Sequence, residues 1–417
     1  MSRPSLWAVS NGQAEDLFAA ALLARLAPRL SGWRLHALPL VGEGRAFEAA
    51  AVVGSATAIT VHGPRRRLPA DGLTMHHPRL LWADLSAGLV SVTWRQVRAL
   101  RAGEADAVLV VGDVFAQAMA RWLSAPRSFV LQPLVSVRMA DPSARVPWNR
   151  AFMERIRLPE LALLRRVEAV YARDEATAAW LRERGVAARF LGHPMMDGLQ
   201  GRRLEPWPPG PTLALLPGSR SHAPDAVVTM LAALAVLADG GAAMAAAVAW
   251  QLGPPPPRPP GWHVAPASTA ESWPTWTRGE VTVSWVTGRF ADVLATADAA
   301  LGSTGTAQEQ AVGLGLPVVT FPVPPVLGAA FLANQARLLG PSLEVAPRDP
   351  RAIADAVRRA LEDPVRRAAA RADGPCRLGG PGGTEAIAAD VAARLAGVGD
   401  AGPPPPASST PSASPTE

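Results

Sequence analysis

The chain has 417 residues, 49% of them hydrophobic, enough material for two cores of ordinary size. Its formal net charge is +6 and all 41 basic residues are arginine, which excludes a P-loop lysine and a Schiff-base lysine. The single cysteine, Cys376, excludes an internal disulfide and a cysteine-based metal cluster and points to a reducing compartment.

The first residues, MSRPSLWAVSNG, form one short apolar run with no long hydrophobic region and no small-residue cleavage site, so no signal peptide is expected. Strands are predicted at 6–10, 34–39, 58–61, 107–111, 128–131, 169–172 and 189–191, alternating with helices that include 15–27, 94–102, 114–123 and 176–184. GRRLEPWPPGP at 201–211 has linker composition. Beyond it the alternation resumes, with strands near Leu213, Ala245, Val281, Ala299 and Val318. The most apolar window, 230–250, is broken by Asp239, Gly240 and Gly241, which predicts a helix, a turn and a strand in place of a membrane span. GPPPPRPPG at 253–261 predicts a surface loop, and the end from Gly402 has almost nothing to bury. The pattern is that of an α/β chain with two doubly wound Rossmann-like domains facing each other across a cleft. Their expected bounds are 1–198 and 212–398, with a linker at 199–211 and a disordered tail at 399–417.

Such domains bind ligands at the carboxyl ends of their strands, and the informative segments fall there. LALLPGSR at 213–220 predicts a buried strand running into a turn at Gly218 and Ser219 and then a helix. That arrangement exposes N–H groups at the positive end of a helix dipole, and Arg220 adds a charged fork, which together suit a diphosphate. In GSTGTAQEQ at 302–310, the small residues Ser303, Thr304, Gly305 and Thr306 let a nucleotide approach the backbone, while Gln308, Glu309 and Gln310 offer groups for a ribose diol. In the first half, SNGQAEDL puts Asn11 and Gly12 in the turn after the first strand, and Glu15 and Asp16 at the start of a helix, as caps, as a site wall, or as both. Asp113, at the end of AVLVV, suits either a general base for an acceptor hydroxyl or the N-cap of the next helix. His193 either reaches the cleft or locks its loop. His62, His76 and His77 lack metal-ligand spacing, so no metal site is expected. The arginines are spread along the chain and there is one Tyr, so nucleic acid is not an expected partner.

RFLGHPMMDGL (189–199), LALLPGSR and GTAQEQ (305–310) resemble, in that order, the R-F-I-G-H-x-M-x-D, L-L-P-G-S-R and G-T-A-x-x-E segments of the lipid-A-disaccharide synthase family, glycosyltransferases of GT-B fold. SNGQAEDL and HGPRRRLPADG (62–72) fall where that family carries an E-x-S-G-D turn and a G-P-x-M-x-x-x-G segment, and Asp113 falls on its proposed catalytic base. The likeness covers most of residues 3–398, strongly in the second half and thinly in the first. It implies a GT-B enzyme that needs neither metal nor cofactor. Such an enzyme moves an N-acetylglucosamine-type sugar from a UDP donor to a hydroxyl of a lipid-linked or phosphorylated acceptor. It further implies a cytoplasmic protein touching the inner face of an anionic membrane. LLWADLSAGLV (80–90), near Arg65, Arg66 and Arg67, would supply that contact or be an ordinary buried helix.

The departures concern particular positions. The family's ribose-binding acid aligns with Gln310, and the nearest acid, Glu309, is one residue earlier, a rotation of about 100° on a helix. The first turn differs, and PLVSVRMADPSARVPW replaces an aromatic segment of the family. Two other functions fit the same ligand class: a UDP-N-acetylglucosamine 2-epimerase, whose Q-E-E segment resembles 308–310, and a non-catalytic nucleotide-sugar-binding protein.

Overall fold

A computed structural model describes residues 3–52, 58–70, 78–140, 155–219, 222–265, 273–324 and 327–397. Residues 6–9 are apolar on both sides of the strand, and this continuity is what a central parallel strand with two covered faces requires. Seven strands form the first sheet: β1 (Ser5–Ser10), β2 (Arg34–Pro39), β3 (Ile59–Val61), β4 (Ala107–Val111), β5 (Arg127–Gln132), β6 (Ala169–Ala172) and β7 (Ala188–Arg189). They lie in the order β3-β2-β1-β4-β5-β6-β7, all parallel. Alternation along each strand splits the core into two layers. Leu6 and Ala8 join Leu22, Leu109 and Phe129 on one face, while Trp7 and Val9 join Val108, Val110 and Leu164 on the other.

The second sheet has eight strands: β8 (Thr212–Leu216), β9 (Met244–Ala249), β10 (His263–Val264), β11 (Thr275–Arg278), β12 (Val281–Val286), β13 (Ala299–Gly302), β14 (Val318–Thr320) and β15 (Leu343–Val345). Their order is β10-β11-β12-β9-β8-β13-β14-β15. Leu213 and Leu215 face one layer, Ala214 and Leu216 the other. The strands β10, β11 and β15 have no counterpart among the expected ones. β10 and β11 run antiparallel at one edge, and β15 adds a parallel strand at the other.

The last helix, Gly383–Leu395, lies within the stretch that the sequence assigns to the second domain, yet it packs on the helix Gln13–Leu26 of the first. Ile387, Ala388 and Val391 are buried in the same layer as Leu6 and Leu109. Its Asp390 accepts 2.7 Å hydrogen bonds from Tyr171 Oη and from Arg189 Nη1, and a 2.9 Å bond from Arg394 Nε. The chain therefore crosses back over the cleft before it ends. The tail at 399–417 lies outside the described residues.

Candidate active site

In each sheet two neighbouring strands send their connections in opposite directions, which opens a crevice at their carboxyl ends. In the first sheet that point lies between β1 and β4, whose last residues Ser10 and Val111 are paired. Asn11 and Gly12 follow one strand, Gly112 and Asp113 the other. Gly112 has φ +146°, and a Cβ there would sit 1.8 Å from Asn11 Oδ1, so only glycine lets the two turns approach. Asp113 caps the helix Val114–Ala120, with Oδ1 accepting from Phe115 N at 2.8 Å, Ala116 N at 3.4 Å and Asn11 Nδ2 at 2.6 Å. All three bonds fall on Oδ1; Oδ2 carries none of them. Burial raises the Asp113 pKa above the usual value, and the donors on Oδ1 offset part of that rise.

Three more carboxyls crowd this crevice. Glu15, 6% exposed, folds back over Gly12, where a Cβ would meet its Oε2 at 2.0 Å. Its pKa is raised by burial first and by the Asp113 charge, against its own backbone N–H. Asp16 accepts from Ser10 Oγ at 2.6 Å and burial pushes it up to about 7. Glu160 was not singled out by the sequence, because LPELALL reads as an ordinary helix start. It accepts from Gln117 Nε2 at 3.0 Å and Gln132 Nε2 at 3.2 Å, and burial, aided by the Asp113 charge, pushes it up to about 7.

The second crevice lies between β8 and β13, where Leu216 pairs with Gly302. Gly218 has φ +88°, and a Cβ would stand 2.8 Å from Thr304 Cγ2, so the two turns nest against each other. Three hydrogen bonds fix the pair: Ser303 N to Leu216 O at 3.0 Å, Ser303 Oγ to Pro217 O at 3.2 Å, and His222 Nε2 to Ser303 O at 3.1 Å. His222, which no motif singles out, is thus the link between the strand-end turn and the opposite loop. The helices Ala223–Asp239 and Thr306–Gly313 both begin here without a side-chain cap, leaving N–H groups at the positive dipole ends for an anion. Arg220 lies outside the described residues, while Ser219 sits in the turn and Gly305 caps the second helix.

Two doubly wound sheets, each with a crevice at its switch point, match solved structures over nearly their whole length. CalG4, the calicheamicin glycosyltransferase, superposes with TM-score 0.58 at 17% identity, covering 95% of this chain and 99% of that one. MnaA from S. aureus, solved with UDP, gives 0.59 at 12%, covering 96% and 99%. The UDP-GlcNAc 2-epimerase from Neisseria meningitidis, bound to UDP-GlcNAc, gives 0.53 at 12%, covering 93% and 99%. The fold is GT-B. No protein-family model and no curated protein matches the chain.

Within this GT-B frame several expected ligand residues turn out to be committed elsewhere. His193 is 2% exposed; its Nε2–H donates to Pro133 O at 3.1 Å and its Nδ1 accepts from Met195 N at 3.0 Å. Burial and then the Arg173 charge push its pKa down to about 4, so it is a neutral lock for the loop and does not reach the cleft. Both oxygens of Glu309 are taken up by neighbours: Oε2 pairs with Arg173 and Oε1 accepts from Gln335 Nε2 at 2.8 Å. Burial pushes its pKa up, but the Arg173 charge and the Gln335 bond outweigh it and leave the carboxylate low. Gln310 Nε2 donates to Met195 O at 2.6 Å. Gln308 is fully buried, its amide beneath Gly302. Glu309 and Gln310, in the helix Thr306–Gly313, are thus tied to neighbouring elements, while the turn at Gly218 and Ser219 and the 303–305 loop stand at the strand ends of the second crevice.

His62 has a histidine for a neighbour. Its Nε2 lies 3.0 Å from His36 Nδ1, and both rings stack on Trp7, at 4.3 and 5.0 Å. His76 and His77 lie outside the described residues. The stretch 80–90 is not a buried helix. Trp82 is 72% exposed and Val90 69%, with Trp94 on the next helix at 63%.

Proposed function

We propose that this GT-B chain transfers a hexosamine-type sugar, of the N-acetylglucosamine class, from a UDP donor to a hydroxyl of a lipid-linked or phosphorylated acceptor. The observation that carries it is the Asp113 carboxylate at the first crevice, oriented by three donors that all fall on Oδ1 and leave Oδ2 out of the cap. An oriented base with a raised pKa suits removal of a proton from an attacking hydroxyl. Across the cleft the diphosphate would rest on Gly218, Ser219, Arg220 and the residues Ser303, Thr304, Gly305 and Thr306. There two uncapped helix starts stabilise the charge that develops on the leaving group. Burial raises the pKa values of Glu15, Asp16 and Glu160, which opposes further negative charge beside Asp113.

Binding and product analysis test this together. UDP and UDP-GlcNAc at millimolar concentration are expected to raise the melting temperature, by mass action on the native state. An unchanged melting curve would remove the whole nucleotide-sugar class. The epimerase alternative is favoured by the likeness to the Neisseria meningitidis enzyme. Incubation with UDP-GlcNAc alone separates the two: release of UDP by slow hydrolysis fits a transferase, whereas the manno epimer fits an epimerase and overturns the transfer reaction.

The acceptor side of the proposal includes a membrane surface. Support comes from Trp82, Val90 and Trp94, three large apolar side chains exposed on the adjacent helices Pro78–Ser86 and Leu89–Ala102, with Arg95 and Arg98 exposed on the latter. No helix among the described residues is long and apolar enough to cross a membrane. Cofloatation with vesicles containing anionic lipid is expected, falling with added salt and lost in Trp82→Ser/Trp94→Ser. Equal recovery of the wild type and the double variant would show that this face has no part in it.

A further inference from the structure

Three side chains unused by the chemistry above meet between the two sheets. Arg173 directly follows β6 and is 4% exposed. Its Nη1 donates to the carbonyls of Pro133 and Leu134, each at 3.0 Å, and its Nη2 to Glu309 Oε2. Glu309, 6% exposed, and Gln335, 3% exposed, belong to the helices Thr306–Gly313 and Ala329–Leu339 of the second sheet's layer. Both oxygens of Glu309 are therefore met, one from each side of the cleft. Taking two charges out of water is unfavourable unless their mutual geometry repays it, and an apolar pair of similar volume would contribute as much to stability. What an apolar pair would lack is direction.

The direction is toward the donor loop. Glu309 sits in the first turn and a half of the helix that begins at Thr306, immediately after Ser303–Gly305. Arg173 is anchored to the turn at 133–134, which Gln132 also fixes, its Oε1 accepting from Leu134 N at 3.0 Å and Val135 N at 2.9 Å. Gln132 in turn donates to Glu160 beside Asp113. A chain of hydrogen bonds thus runs from the first crevice to the loop of the second.

We propose that Arg173 and Glu309 form a positioning clasp that holds the two sheets closed before any donor binds and sets the 303–305 loop opposite Asp113. Neither side chain touches a reacting atom. The link to donor affinity rests on the UDP-sugar function proposed above; the closure itself does not.

The test uses the full chain with one spin label on the exposed Cys376 and a second on Ser86→Cys, an exposed site on the first sheet's layer. Pulsed electron resonance is expected to give a single narrow distance for the wild type, unchanged by UDP. In Arg173→Met and Glu309→Gln the distribution lengthens and broadens without nucleotide, and millimolar UDP returns it to the wild-type distance while binding about tenfold more weakly. Wild-type distances in both ligand-free variants overturn the clasp, and so does a broad distribution in the wild type. If the wild type binds no UDP, the donor function falls, and the ligand-free distances still decide the clasp. Where a single variant loses its cooperative melting transition, Arg173→Met/Glu309→Met replaces it, leaving no lone buried charge. That double variant lengthens if the pair positions the sheets and keeps the wild-type distance if the pair serves stability alone.

Discussion

Asp113→Asn is expected to cut sugar transfer by about 10² to 10⁴ while leaving UDP affinity nearly unchanged. A general base acts on the attacking hydroxyl in the transition state and has little contact with the donor diphosphate. The amide keeps an acceptor oxygen for Phe115 N and Ala116 N, so the helix Val114–Ala120 keeps its cap and the loss is chemical. What disappears is the basicity of Oδ2. Slow hydrolysis of UDP-GlcNAc, with water in place of the acceptor, gives the same readout before an acceptor is in hand, and calorimetry with UDP supplies the control. Activity within a few-fold of wild type would reduce Asp113 to a helix cap and move the role of base to Glu15, across the same crevice.

The second large effect is on stability against pH. Asp16 moves from 3.8 and Glu160 from 4.5 to about 7 each on folding, chiefly through burial. The native state therefore binds more protons than the unfolded chain across that window, and stability falls as pH rises. The contribution is fully present below about pH 4 and is lost as pH passes through about 7, on the order of 3 kcal/mol for each group. Both side chains are nearly inaccessible, Asp16 at 5% and Glu160 at 1%, so screening by solvent removes little of it. Urea unfolding at pH 5 and pH 8 checks this. The wild type is expected to be several kcal/mol less stable at pH 8. Asp16→Asn and Glu160→Gln each flatten the dependence, because an amide keeps the shape and cannot ionise. A variant with the wild-type pH slope would mean that its carboxyl is already ionised in the native state at pH 5.

Much of this arrangement is local and therefore legible in the amino-acid order. The strands at 34–39, 107–111 and 169–172 coincide with β2, β4 and β6; AVLVV and AVYA carry no charged or small polar residue, as strands covered on both faces require. The turns at 11–12, 112–113, 218–219 and 303–305 were readable for the same kind of reason. A chain leaving a buried strand for a helix within a few residues needs glycine and small polar residues there, and Gly112 and Gly218 do adopt left-handed backbone. With the strand order of an α/β chain, those turns had to lie at carboxyl ends.

What tertiary structure alone decided is the partner of each charged group. The same carboxylate can cap, titrate or pair, and the outcome depends on what arrives from elsewhere in the chain. Asn11 reaches Asp113 from 102 residues away and donates to Oδ1, the same oxygen that caps the helix Val114–Ala120. Arg173 reaches Glu309 from 136 residues away and turns an expected ribose ligand into an ion pair between sheets. Tyr171 reaches Asp390 from 219 residues away and fastens the last helix to the first sheet, where composition placed it with the second. Periodicity reports which face of an element is apolar, and it is silent about which distant surface covers that face. Ile387, Ala388 and Val391 would have satisfied either layer; the layer they joined was fixed by the space beside Gln13–Leu26 and the carboxylate partners around it.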